Sequence, residues 1–131
     1  MNSKEGAFRS AYFTDKYEET YQFYANTLEL TLEHSWDHDE NKGSVFQAGK
    51  GLIEILHLPS NPEDYNAGLD LRKPQGIFMV IQVWNVDDLF QKYKNNGMQF
   101  KQELTNQSWG HRSFSISDPN GVVLFFFEEQ F

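Results

Sequence analysis

Hydrophobic and polar residues alternate with the period of β-strands along most of this chain, and two short stretches have the period of a helix instead. Phe8–Thr14 is short and rich in aromatic residues, which is typical of a strand. The helical stripe that follows consists of Tyr17, Tyr21, Tyr24 and Leu28. Asp15 precedes it, with Glu18 three residues later, and this capping-box pattern predicts that Asp15 caps the helix.

Three strands are predicted after the first helix. Leu30–Trp36 alternates strictly, so one face of this strand is expected to be buried. Asp37–Gly43 is polar and predicts a turn. Ser44–Ala48 and Gly51–Leu58 read as two further strands joined by a tight turn at Gly49.

The same order of elements then returns. Gly76–Trp84 is an apolar run rich in β-forming residues, Asn85 and Asp88 form a second cap pair, and Asn95–Gly97 is a helix stop. The last three predicted strands are Met98–Leu104, Arg112–Ser117 and Val122–Glu129, with a hairpin turn at Asp118–Gly121 before the final one.

The chain therefore reads as a single domain, 1–131, made of two βαβββ modules offset by about 70 residues. Module one spans about 7–58, a linker spans 59–75, and module two spans about 76–131. The predicted fold class is α+β, with the two modules forming a curved mixed sheet around a cavity. A loop as long as 59–75 is either a linker or functional.

Composition excludes several classes of function. The 131 residues include no Cys, which rules out disulfides and thiolate chemistry. A net charge of −8 repels phosphate backbones, so we expect no nucleic-acid partner, and no apolar run is long enough to span a membrane. The polar N-terminus lacks a signal-peptide core, so we expect a cytoplasmic location. The aromatic content of 16% suits a pocket for a flat organic ligand.

Two motifs in the second half resemble those of a known superfamily. Trp109–Phe114 reads WGHRSF and Asp118–Gly121 reads DPNG, while Asp15 and Phe23–Tyr24 match the usual D…FY stretch. Together with the module order they resemble the vicinal oxygen chelate superfamily, which contains glyoxalases, extradiol dioxygenases and bleomycin-resistance proteins. The WGxRxF and DPxG patterns are most similar to the bleomycin-resistance branch.

Metal enzymes of this superfamily carry one ligand on each of four strands, and the resemblance assigns those positions here. They fall on Phe8, counted back from Asp15, and on Glu54, Phe78 and Phe125, with Met79 replacing Phe78 if the fifth strand shifts by one residue. Phenyl rings donate no lone pair to a divalent ion. We therefore expect no metal and no other cofactor, and an apolar ligand surface or a filled core at the phenyl positions.

Other residues are candidates for ligand contact. Glu54 is either a cavity carboxylate, or it faces solvent or pairs with Arg112 or Lys50. Trp36 and Trp109 can stack on a planar ligand or cation. The alternative for Trp36 is that it simply ends its strand, and the alternative for Trp109 is that it packs in a dimer interface. Arg112 is expected in a structural ion pair or against an anionic ligand, whereas His34 is expected in the core. The complete predicted ligand set is Phe8, Trp36, Glu54, Phe78, Trp109, Arg112 and Phe125.

Three functions are compatible with these features. The first, implied by the resemblance, is non-catalytic binding that sequesters a cationic or aromatic compound, as in antibiotic resistance, by a homodimer. The second is a metal-dependent lyase, isomerase or dioxygenase with a shifted ligand set such as Glu54 plus His residues. The third is an interaction domain with a filled core.

Overall fold

The computed structural model describes residues 7–61, 68–69 and 71–130. Residues 62–67 and 70 of the predicted linker therefore lie outside the described part of the chain. The N-terminal segment 1–6 and Phe131, the last residue of module two, also lie outside it.

Each half of the chain contains a strand, a helix and three strands, as predicted. The first half consists of β1 (Arg9–Thr14), α1 (Tyr17–Gln22) continued by a π-helical turn (Phe23–Thr27), β2 (Leu32–His38), β3 (Asn41–Ala48) and β4 (Gly51–His57). The second half consists of β5 (Phe78–Gln82), α2 (Val86–Asn95), β6 (Phe100–Asn106), β7 (His111–Ser117) and β8 (Val123–Glu129).

The strands form two four-stranded mixed sheets with the same topology. The first sheet has the order β1-β4-β3-β2 and the second has the order β5-β8-β7-β6. In each sheet the edge strand β1 or β5 pairs in parallel and the remaining pairs are antiparallel. The chain divides into two compact units, Met1–Pro74 and Gln75–Phe131. The α+β fold of two βαβββ modules is confirmed.

Within the described ranges, neither helix approaches the length and hydrophobicity needed to cross a membrane.

The first helix packs on one face of the first sheet through aromatic contacts. Tyr24 lies 5.9 Å from Phe46 between ring centroids, and its hydroxyl lies 3.1 Å from that of Tyr12. Tyr17 reaches the hydroxyl of Ser44 on the same face. We call this the helix face of the sheet and the opposite side its far face. Because side chains alternate along a strand, Ile53 and Ile55 belong to the helix face and Glu54 to the far face.

The second sheet is organised in the same way. Tyr93 of α2 contacts Phe114 and Phe126, each at 6.0 Å between centroids, and Phe90 lies 5.6 Å from Phe114. Full burial of a side chain such as Phe114 stabilises the fold by roughly 1.5–3 kcal/mol. Alternation then places Phe125 on the far face of this sheet.

The prediction that Asp15 caps the first helix was wrong, whereas the second cap was correct. The N-cap of α1 is Lys16, whose own side chain makes no capping bond, and Thr14 Oγ1 accepts the Lys16 backbone N–H at 2.9 Å. Asp15 instead pairs with Lys73 at 3.2 Å. Asn85 caps α2 by accepting the backbone N–H of Asp88.

The strands of the β2–β3 hairpin are longer than predicted, because they extend into the predicted Asp37–Gly43 turn. Only Asp39 and Glu40 lie between the strands, and Asp39 has φ of 61°. Asp37 and Lys42 face each other in register, and their charged atoms lie 3.8 Å apart. Opposite charges across a strand pair favour pairing, which is why a charged segment continues as strand.

Glu40 ties this hairpin turn to the beginning of the linker. Its carboxylate accepts the Ser60 backbone N–H at 2.8 Å and contacts His57 Nε2 at 2.9 Å. Hydrogen bonds from the Ser60 hydroxyl and backbone, followed by the bond from His57, lower the pKa of Glu40 to about 2.

Replacing Glu40 should remove a pH-dependent stabilisation. Because the folded-state pKa lies below the ordinary 4.5, the contribution is complete above pH 4.5 and is lost as the pH falls through about 2. The difference in unfolding free energy between wild type and Glu40→Gln should therefore shrink across that interval. An NMR titration that follows the side-chain carboxyl carbon of Glu40 measures its pKa. A titration midpoint near pH 4.5 would contradict the lowered pKa.

Candidate functional site

The far face of the first sheet carries an ion pair between Arg9 and Glu54. Arg9 Nη1 lies 2.7 Å from Glu54 Oε1, and the Glu54 side chain is only 14% exposed. The sequence analysis had considered Arg112 or Lys50 as the partner of Glu54, and both alternatives were wrong. The carboxylate at this position is therefore already neutralised within the chain.

Phe8 does not share a sheet face with Glu54, contrary to the expected ligand position. It lies one residue before β1 and is 78% exposed. Arg9, the next residue, points to the same sheet face as Glu54 and contacts it. The error arose because the position was counted back from Asp15, whereas the helix is capped by Lys16. Counting back from Lys16 gives Arg9, so the cap residue was the signal that the sequence reasoning missed.

Trp36 lies on the same far face, flat against β3. It pairs in register with Gly43, and a Cβ added to that glycine would lie 2.3 Å from Trp36 Cζ2. The indole Nε1 donates to Asn41 Oδ1 at 3.0 Å, which fixes the ring orientation. His34 stacks beside it, with 5.5 Å between centroids. The expectation that His34 lies in the core was wrong, because it is exposed on this face.

Phe78 and Phe125 lie on the far face of the second sheet. Phe78 pairs in register with Val123, and Val80 pairs with Phe125. Partners in a parallel pair point to the same side, so Phe78 rather than Met79 shares the face of Phe125. Phe78 is 66% exposed, and it is therefore not a residue of a filled core in the chain as described.

A stack of aromatic rings extends this surface along β7 and β8. The His111 ring lies parallel to that of Phe127, 4.2 Å away at an interplanar angle of 17°. Trp109, 57% exposed, meets the edge of His111 at 6.2 Å, and Phe125 lies 6.4 Å from Phe127. His111 was not among the predicted ligand residues. The hairpin register counted from the Asp118 turn places it on this face.

Arg112 lies on the helix face of the second sheet, opposite the aromatic stack. Its Nε donates to Asp87 Oδ1 at 2.7 Å and its Nη1 to Asn106 Oδ1 at 3.0 Å, so it fastens β7 to the first turn of α2. Glu128, its cross-strand partner, accepts the Val86 backbone N–H at 3.1 Å. Both residues anchor the helix, so Arg112 makes the structural ion pair that the sequence predicted as one of its two alternatives.

Comparison with known families agrees with this architecture. The sequence profile described as the Glyoxalase/Bleomycin resistance protein/Dioxygenase superfamily matches residues 8–126. The chain belongs to this superfamily. A search of curated proteins gave no match.

Solved structures support the same fold at low sequence identity. TioX from Micromonospora sp. ML1 is similar with a TM-score of 0.74 and 14% identity, covering 95% of this chain and 98% of that one. A superfamily protein from Nocardioides has a TM-score of 0.75 and 15% identity, covering 99% and 87%. Lactoylglutathione lyase from Agrobacterium tumefaciens has a TM-score of 0.71 and 15% identity, covering 97% and 96%. These similarities establish the fold of this superfamily member.

The side chains at the four positions do not fit a divalent metal. Arg9 is a permanent cation without a lone pair to donate, Glu54 is paired with it, and Phe78 and Phe125 supply no donor. Within residues 7–61, 68–69 and 71–130, no three His, Cys, Asp or Glu side chains converge as metal ligands.

Gly43→Ala should displace Trp36. The added methyl group would collide with the indole, so we expect a loss of about 1–3 kcal/mol of unfolding free energy and altered tryptophan fluorescence. Gly51→Ala is the matched control on the adjacent strand, because its Cβ meets only ordinary contacts at 3.5 Å and beyond. Equal effects of the two substitutions in urea denaturation would contradict this account of Trp36.

Proposed function

We propose that this superfamily member binds a cationic or aromatic organic molecule without transforming it, and so sequesters it. The observation that carries the proposal is the aromatic surface of the second sheet, where His111 and Phe127 stack between Trp109 and Phe125. Such a surface offers ring faces and edges to a planar ligand, and each aromatic pair contributes about 0.5–1.5 kcal/mol beyond buried area.

Polar groups beside the aromatic surface can orient a ligand. Gln107 Nε2 donates to Ser113 Oγ at 2.9 Å and to Gln102 Oε1 at 2.8 Å. Ser113 pairs in register with Phe127, so this small network lies next to the ring stack. Ligand sites commonly combine mostly apolar surface with a few fixed polar groups, and this arrangement supports the proposal.

Charge favours a positively charged ligand at long range. The net charge of −8 attracts cations to the protein. Glu54 is neutralised by Arg9, so local recognition of a positive group depends on aromatic faces through cation–π contact. Trp36, held flat over Gly43, provides a stacking surface on the first sheet. The proposed mechanism is stoichiometric capture, with no bond made or broken.

A thermal-shift experiment tests the proposal. Bleomycin and ethidium serve as cationic aromatic probes, 1-naphthalenesulfonate serves as an anionic aromatic probe, and divalent metals form a parallel arm. A probe at 100 times its dissociation constant adds about 2.7 kcal/mol, which raises the melting temperature by several degrees. We expect Trp109→Ala to abolish the shift. Trp84→Ala is the matched control, because Trp84 is 98% exposed and lies outside the strands.

Two outcomes would contradict sequestration. One is the absence of a shift with every aromatic probe, which would favour an interaction domain. The other is one tightly bound metal per chain that disappears in Glu54→Ala, which would favour a metal-dependent enzyme. Recovery of the probe chemically unchanged after prolonged incubation supports binding without turnover.

A further inference from the structure

The Arg9–Glu54 pair combines one position that the superfamily resemblance assigns to a metal ligand, Glu54, with the neighbouring side chain on the same sheet face, Arg9. Arg9 lies opposite Leu52 and Glu54 opposite Ala11, so the two side chains meet diagonally across the parallel pair β1 and β4. The guanidinium reaches the carboxylate at 2.7 Å. These positions are therefore close enough to share one partner.

The two side chains differ in their access to water. The Arg9 side chain is about half exposed, whereas the Glu54 side chain is largely buried. A carboxylate withdrawn from water requires a cation or several hydrogen-bond donors. Within the described part of the chain, Glu54 pairs with Arg9. The guanidinium therefore provides the positive charge that this buried group needs.

We infer that Arg9 is the resident cation of Glu54 and that it excludes divalent metals and positively charged ligand groups from this carboxylate. A guanidinium carries five N–H donors and stays protonated, so it satisfies an oxygen that a metal would otherwise ligate while offering the metal nothing. An incoming cation must first displace Arg9. This inference goes beyond the proposed function, because it depends on the first sheet alone and holds whether or not the second sheet binds a ligand.

Metal binding by variants of the full chain tests the inference. Arg9→His replaces the cation with a neutral nitrogen donor diagonal to Glu54, and Arg9→Lys retains a cation as the matched control. Equilibrium dialysis against Ni²⁺ and Zn²⁺, followed by metal quantification, gives the affinities. We expect Arg9→His to bind at least about tenfold more tightly than wild type, and Arg9→Lys to match wild type. The added Glu54→Gln substitution should abolish the gain.

Two results would overturn the inference. One is metal binding by Arg9→His that is no tighter than that of the wild type, and the other is a gain in Arg9→His that survives Glu54→Gln. Thermal unfolding of every variant verifies that it is folded, and Arg9→Gln, with a neutral amide oxygen as donor, replaces Arg9→His if the latter does not fold. None of these results depends on the aromatic probes, so this inference and the proposed function can fail separately.

Discussion

A β-strand turns successive side chains to opposite faces, and in this protein that alternation decides which groups meet. Each sheet uses one face to bury its helix, through Tyr24 on Phe46 in the first unit and Tyr93 on Phe114 in the second. The residues between these core positions must then point to the far face. Glu54 belongs to that second set, and it meets Arg9, the first residue of β1, rather than Phe8, which precedes the strand.

Local hydrogen-bonding patterns were predictable wherever neighbouring residues determine them. The Asn85 cap is an example, since its partner Asp88 is three residues away. The turn at Asp118 is another, because that carboxylate accepts the backbone N–H groups of Asn120 and Val122. Module order, both helices and all eight strands followed from such patterns and from periodicity. Strand ends moved by a few residues, as at the Asp37–Lys42 pair.

Contacts that depend on competition between side chains were not predictable. Thr14 rather than Asp15 serves the start of α1, because its hydroxyl is placed to accept the Lys16 N–H. Because α1 is capped one residue later than predicted, the first site position had been assigned to Phe8 instead of Arg9. The placement of Trp36 over Gly43 depends on register across a hairpin, and no pattern within one strand encodes it. The position of His111 on the aromatic surface likewise depends on register, here between β7 and β8.

The same fold carries catalysts and binding proteins, so function depends on the side chains at a few positions. Here those positions hold an ion pair and phenyl rings, and Arg9 satisfies the Glu54 carboxylate. Crystals of the wild-type protein soaked in Zn²⁺ or Ni²⁺ and measured at the metal absorption edge test it directly. The account predicts an intact Arg9–Glu54 contact and no anomalous peak beside it. A peak on Glu54 with Arg9 turned away would contradict it.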